Sequence, residues 1–273
     1  MADEQNLSLE IKLEKESYLS HEPIWLDITL KNISCDTIST TRLSPPNQGG
    51  VGIELKNSEG ILMSYTGPDI LLGPRERIVL DSGEEYYDCF DLLELFSTSK
   101  PESMSYNFFG SLPVGKYTLR ATYGHYYSNE ITFKIEKQSG QEEESYQMMV
   151  DAFNLWARQD YELTIQKFRN ILEEYPKSVY AGKALRQIIG FQMIYNKLAI
   201  SELQTPQEML DSFTNSGYSN YCLGLLVWKK TKEEQQDLLQ QIIENYPNTR
   251  SAKFAEQMLR NLEKETVKSN SKE

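Results

Sequence analysis

A chain of 273 residues exceeds the size at which one hydrophobic core usually suffices, so two domains are expected. Its 39% hydrophobic and 11% aromatic content is ample for folded cores, with 17 tyrosines against 10 phenylalanines. The formal charge of −12 is concentrated in residues 1–136, where 21 acidic side chains face 11 basic ones, a balance that disfavours nucleic acid and anionic membranes as partners.

The first half reads as strands. Leu7, Leu9, Ile11 and Leu13 alternate with polar residues, as do Ile24, Leu26, Ile28 and Leu30, and period two places each set on one face of a half-buried strand. Further strands are expected at Val51–Leu55, Ile61–Tyr65, Arg77–Leu80, Tyr86–Leu92, Tyr117–Tyr123 and Ile131–Ile135. The turns between them carry Asn57-Ser58-Glu59-Gly60 and Asp81-Ser82-Gly83. Seven or eight short antiparallel strands without intervening helices predict a β-sandwich.

Residues 137–144 are polar and read as a linker, with Glu142, Glu143 and Glu144 also suited to opening a helix. Beyond them the period becomes 3.6. Tyr146, Met149, Phe153 and Trp156 form one helix face, and Tyr161, Ile165, Phe168 and Leu172 the next, with Asp160 as its expected cap. Pro176 ends that helix and Ser178 caps a third carrying Ala181, Ala184, Leu185, Ile188 and Ile189. The last two helices are expected at about Lys232–Asn245 and Thr249–Glu263, with a disordered tail over 267–273.

One signature occurs twice. Phe168-x-x-Ile171-Leu172-Glu173-Glu174-Tyr175-Pro176-x-Ser178-x-x-Ala181-x-x-Ala184 returns 71 residues later as Leu239-x-x-Ile242-Ile243-Glu244-Asn245-Tyr246-Pro247-x-Thr249-x-x-Ala252-x-x-Ala255. That spacing is near twice a period of roughly 34 residues, which points to stacked antiparallel helix pairs. Asp160-Tyr161-Glu162 with Thr164, Phe168, Ile171 and Pro176 resembles the second half of a tetratricopeptide repeat. Thr164 and Ile171 stand where that family has alanines, Ala152 where it has glycine, and Gln235 departs again in the second copy. The Tyr-Pro-x-Ser/Thr ending is similar to bacterial envelope variants of the repeat. In the first half, Tyr18-Leu19-Ser20-His21-Glu22-Pro23-Ile24 and Gly115-Lys116-Tyr117-Thr118-Leu119 resemble bacterial immunoglobulin-like modules and intracellular proteinase inhibitor domains. In such sandwiches a tyrosine at Tyr117 turns its hydroxyl back onto nearby backbone. The expected fold is therefore multidomain: an immunoglobulin-like antiparallel β-sandwich over 1–136 and an all-α tetratricopeptide-like domain over 145–266.

Few groups suit catalysis. His21 and His125 stand apart, and the sequence holds no His-Glu-x-x-His, nucleophile elbow, phosphate-binding glycine loop or Cys-x-x-Cys. No catalytic, metal or cofactor site is expected. Asp81, Glu84, Glu85, Asp88, Asp91 and Glu94 fit no calcium loop and read as a solvated acidic edge. Cys35, Cys89 and Cys222 lie at no metal spacing; a Cys35–Cys89 bridge is one option, and Cys222 reads as a buried thiol.

Two stretches are candidate partner-binding surfaces. Tyr123, His125, Tyr126 and Tyr127 lie in the expected connection between the last two strands, and Phe213, Tyr218 and Tyr221 interrupt the helical pattern. A third aromatic group, Met104–Phe109, either caps the sandwich or binds. The expected function is a non-catalytic scaffold for a protein or peptide partner, which the envelope resemblance assigns to a cell-envelope or surface assembly. The alternatives are a proteinase-inhibitor-like sandwich presenting loop 40–50 or 96–110, and a glycan-binding one. No membrane-spanning run of about 18 apolar residues exists. The first residues lack a signal peptide's basic and apolar regions, so the chain as it stands reads as cytoplasmic, or as periplasmic or surface-borne if an export signal was trimmed.

Overall fold

The computed structural model describes residues 6–44, 50–67, 77–96, 110–195, 205–228 and 230–270. An N-terminal β region is followed by an all-α region, with seven helices among its described residues, and the chain divides into two compact units, Met1–Gln138 and Ser139–Glu273.

In the first unit, strands β1 (Leu7–Leu13), β3 (Trp25–Asn32) and β7 (Glu85–Asp91) form one sheet, in the order β1-β3-β7. The second sheet runs β2 (Ser17–Leu19), β9 (Tyr126–Glu136), β8 (Gly115–Tyr123) and β5 (Gly52–Asn57). Alternate residues of β1, β3, β5 and β8 are buried, and the inward rows of both sheets share one core that includes Ile28, Leu55, Leu119 and Phe133. Two sheets in this strand order, packed over one core, make an immunoglobulin-like sandwich.

The pairing is antiparallel except for β2, which runs parallel to the last residues of β9. A short helix α1 (Leu92–Leu95) follows β7, and β4 (Ile38–Thr41) pairs with β6 (Arg77–Leu80). The sequence pattern shows neither β2, where three residues are too few for an alternation to register, nor β4, whose Ile38-Ser39-Thr40-Thr41 carries a single apolar side chain. The expected strand at Ile61–Tyr65 is a single bridge, Leu62 to Lys56. Asn57 Oδ1 accepts the amides of Glu59 and Ile61, closing the turn tightly and leaving Ile61 and Leu62 exposed on the edge of β5.

Tyr117 behaves as its place before a strand predicts. Its hydroxyl donates to the Pro113 carbonyl at 2.7 Å, and its ring stacks on Phe133 with centroids 5.5 Å apart. Burial of the phenol raises its pKa.

Asn32, at the buried end of β3, was not singled out by the pattern. Its Nδ2 donates to the carbonyls of Asp36 (2.7 Å) and Leu80 (2.9 Å), while Oδ1 accepts the Ser34 amide (2.9 Å), so one amide group ties two turns together. A β-bulge lies in β9 opposite Arg120–Thr122. Ser128 fills the gap by accepting the Ala121 amide at 2.9 Å. Asn129 next to it reaches the other sheet, accepting from Ile11 N at 2.9 Å and donating to Ile11 O at 3.0 Å, the pairing a strand backbone would make.

The second unit contains α2 (Gln141–Ala157), α3 (Tyr161–Glu174), α4 (Ala181–Tyr195), α5 (Thr205–Ser212), α6 (Tyr218–Val227), α7 (Lys232–Asn245) and α8 (Arg250–Asn270). The glutamates after Gly140 lie in the first turn of α2, where the helix dipole favours negative charge. That helix ends with Gln159 at φ 64°, its amide bonded to Trp156 O and the Asp160 amide to Leu155 O, the double closure of a Schellman motif. Asp160 stands at the N-cap of α3 but makes no side-chain capping bond; its backbone carbonyl takes Thr164 N and Oγ1. A full capping box, Thr231 with Glu234, opens α7, and the backbone and side-chain hydrogen bonds of Thr231 lower the Glu234 pKa. The last helix continues to Asn270, beyond the helix end expected from sequence.

Tyr117→Phe removes only the corner hydroxyl and is expected to destabilise the sandwich by about 1 kcal/mol, since one net hydrogen bond is lost. Denaturant unfolding followed at the amide signals of β8 measures this.

Candidate functional site

The stretch Tyr123–Asn129 is a tight hairpin rather than a long connection. Gly124, at φ 58°, and His125 form the two-residue turn, and Tyr126 already opens β9. Glycine at the first central position is what a type II′ turn requires. Tyr123 belongs to the core: it is buried, and its hydroxyl accepts the Thr41 amide at 3.0 Å and donates to the Thr41 carbonyl at 2.6 Å, fastening β4 to β8. His125 is exposed, with its ring 4.1 Å from that of half-buried Tyr126. Tyr127 is 58% exposed, and its ring lies 4.2 Å from the Arg120 guanidinium on the outer face of the sheet. Of the four, His125 and Tyr127 are thus the most accessible.

The second candidate stretch joins α5 to α6. Phe213 packs on Gly182 at the start of α4, where even a Cβ would sit 3.3 Å from the ring. The Thr214 carbonyl accepts the amide and hydroxyl of Ser251 at 3.1 and 2.9 Å, and the Asn215 carbonyl accepts from Arg250. Tyr218 is buried. These contacts make the stretch a corner that docks the start of α8. Tyr221 alone reaches outward, 42% exposed, with the Arg186 guanidinium of α4 5.6 Å from its ring.

Trp228, immediately after α6, is 65% exposed and was missed. It stands seven residues after Tyr221, two helical turns, so the two aromatics share a side of the helix with Leu225 between them. The spacing is visible in the sequence, but the run Cys222–Trp228 is apolar enough to read as core. Cys222, on an adjoining side of the helix, is buried, which pushes its thiol up to about 12, beyond the range of a reactive thiolate. Among the described residues, an added Cβ at Gly190 on α4 or Gly224 on α6 would meet nothing within 4 Å.

The repeated signature marks two corners built alike. Tyr175 donates to Glu144 Oε2 at 2.9 Å, a contact that raises the phenol pKa, and Tyr246 donates to Asp211 in the same manner. Each tyrosine thus ties its corner to a carboxylate of an earlier helix. At the first corner Ser178 Oγ meets Ser145 Oγ and Glu142 Oε2, both at 2.8 Å, and accepts the Tyr180 amide at 3.2 Å. At the second, Thr249 Oγ1 donates to the Tyr246 carbonyl at 2.6 Å and accepts the Ala252 amide.

The acidic stretch 81–94 is dispersed, not a uniform solvated edge. Asp91 is buried and accepts the amides of Ile24 and Leu93, Asp88 is buried, and Glu85 pairs with Lys31 at 2.8 Å on the surface. Among the described residues no group of three or more His, Cys, Asp or Glu could hold a metal ion. Cys35 is exposed and Cys89 half-buried, and no disulfide joins them. His21 lies in the turn before Pro23, beside buried Glu22, which accepts the Leu19 amide and pairs with Lys15. Most of loop 96–110, the centre of loop 40–50 and the Met104–Phe109 group lie outside the described residues.

No family model matches this chain, and no curated protein matches it. Among solved structures it is similar to the CARDB domain of a Pyrococcus furiosus protein, at 11% identity and TM-score 0.27, over 48% of this chain and 94% of that one. It is similar to a sporulation control protein of Bacillus subtilis at 11% identity and TM-score 0.28, over 55% of each chain. A β-glucosidase of Listeria innocua matches at 17% identity and TM-score 0.30, over 49% of this chain but only 16% of the enzyme. Likenesses this distant say nothing of what the chain binds, and the sandwich assignment rests on the strand order.

Ser178→Ala should lower the stability of the helical unit by about 1–2 kcal/mol, because the Ser145 hydroxyl and a helix amide lose a buried partner. Tyr175→Phe, at the exposed rim of the same corner, should cost less. Parallel denaturant melts of both variants measure the difference.

Proposed function

We propose that this chain is a non-catalytic interaction scaffold whose helical unit is a tetratricopeptide-like stack that docks a protein or peptide partner. The observation that carries the reading is the outward side of α6. Tyr221 and Trp228 are exposed two turns apart, and Arg186 stands beside Tyr221. Exposed aromatics with an arginine are the side chains that dominate binding energy at protein interfaces. The repeat reading draws on the two Tyr-Pro corners with their matching tyrosine–carboxylate contacts. The envelope or surface setting rests on the likeness of those corners to envelope repeat proteins.

Full-length chain carrying Tyr221→Ala and Trp228→Ala, compared with wild type as bait in an extract of the native host, tests this. Wild type should retain at least one protein that the double variant loses while its helical circular dichroism is unchanged. Identical retained sets would remove α6 as the docking side.

A second reading gives the sandwich a glycan-binding role, favoured by the exposed Tyr127 ring on Arg120. Tyr127→Ala would then abolish binding on a glycan array, and unchanged binding would sink that reading.

A further inference from the structure

The inward row that crosses the first sheet as Ile11–Ile28–Asp88 ends in a carboxylate. Residues directly opposite on paired strands share a face, so Asp88 takes a core-facing place between Tyr86 and Phe90, both of which belong to or pack on the core. Its carboxylate accepts the Cys89 amide at 2.8 Å. Asp91, also buried, is better served, with amides from Ile24 at 3.1 Å and Leu93 at 3.0 Å.

The groups facing Asp88 are few. From β1 and β3 they are Ile11 and Ile28, which carry no charge, and from β7 itself Tyr86, a neutral phenol, and Phe90. The charge acting on it among the described residues is Arg42, one residue beyond the end of β4. Arg42 is exposed, so the attraction is screened and does not offset the burial.

We propose that Asp88 is a proton-operated latch in the sandwich. Protonated, it is a neutral core side chain. Ionised, it places a charge with one amide partner in the core row, which loosens the hold of the first sheet on the core. Desolvation dominates its energetics and pushes the carboxyl from 3.8 up to about 6, against smaller opposing effects of the Cys89 amide and Arg42. Between those two values the folded chain holds a proton that the unfolded chain has lost, so stability contributed by the neutral carboxyl falls as pH rises through the window and is lost above about 6. A shift of about two pH units corresponds to a roughly hundredfold change in the folded-to-unfolded ratio.

The test is denaturant unfolding of the full chain from pH 4 to 7.5, followed at the amide signals of β3, for wild type, Asp88→Asn and Arg42→Gln. A carbon-13 NMR titration of the Asp88 carboxyl in wild type accompanies it. The expected midpoint is near 6. Relative to wild type, Asp88→Asn should gain roughly a hundredfold in folded-to-unfolded ratio on going from pH 4 to 7.5, and Arg42→Gln should weaken the sandwich at pH 7.5 but not at pH 4. A midpoint near 4, or pH profiles of wild type and Asp88→Asn that run parallel, overturns the proposal. Should Asp88→Asn fail to fold, the wild-type titration decides the question alone.

Discussion

A buried polar group must find a partner, and both units of this chain are held together by that constraint. A sandwich built from alternating strands has an apolar interior, but its irregular places leave amides and carbonyls that the ladders do not reach. Side chains fill those places. Asn129 supplies a missing ladder step between β9 and β1, Tyr123 fastens β4, Tyr117 pins the turn at Pro113, and Asn32 ties the turn after β3 to the one after β6. The helical unit solves the same problem at its corners, where Ser178 and Thr249 take the amides that follow each Tyr-Pro. Asp88 meets the constraint only in part, with one amide for a buried carboxylate.

What the sequence reveals follows from periodicity. Period two along β1, β3 and β8 and period 3.6 from Tyr146 onward give the order of the two units, because burial of one face acts over many residues and repeats. The Tyr117 hydroxyl was legible because its turn and strand set the geometry locally. Strands β2 and β4 were not, since their places come from β9 and β6, far away in sequence. Asn129 and Tyr123 look like surface residues beside a turn, and only the bulge in β9 and the approach of β4 give them structural work. Acidic residues at 85, 88 and 91 look equivalent in the sequence, yet strand parity and the start of α1 separate them into a surface ion pair, a core position and a helix cap.

The candidate surfaces divide along the same line. Residues whose polar atoms are consumed by the fold, Tyr123 and the corner at Phe213–Tyr218, hold the molecule together. Tyr127 on the sandwich and Tyr221 with Trp228 on the helical unit are exposed, with an arginine beside each tyrosine. Aromatic rings on rigid elements lose little freedom on binding, so such positions are suited to recognition in a way that the packed corners are not.

Native-state hydrogen exchange reads the central constraint most directly. The amides of Ile11, Thr41 and Ala121 donate to side-chain oxygens of Asn129, Tyr123 and Ser128. If these side chains carry the irregular places of the sandwich, the three amides exchange as slowly as ladder amides in the middle of β3 and β8. Exchange at the rate of open loops at all three would contradict the account.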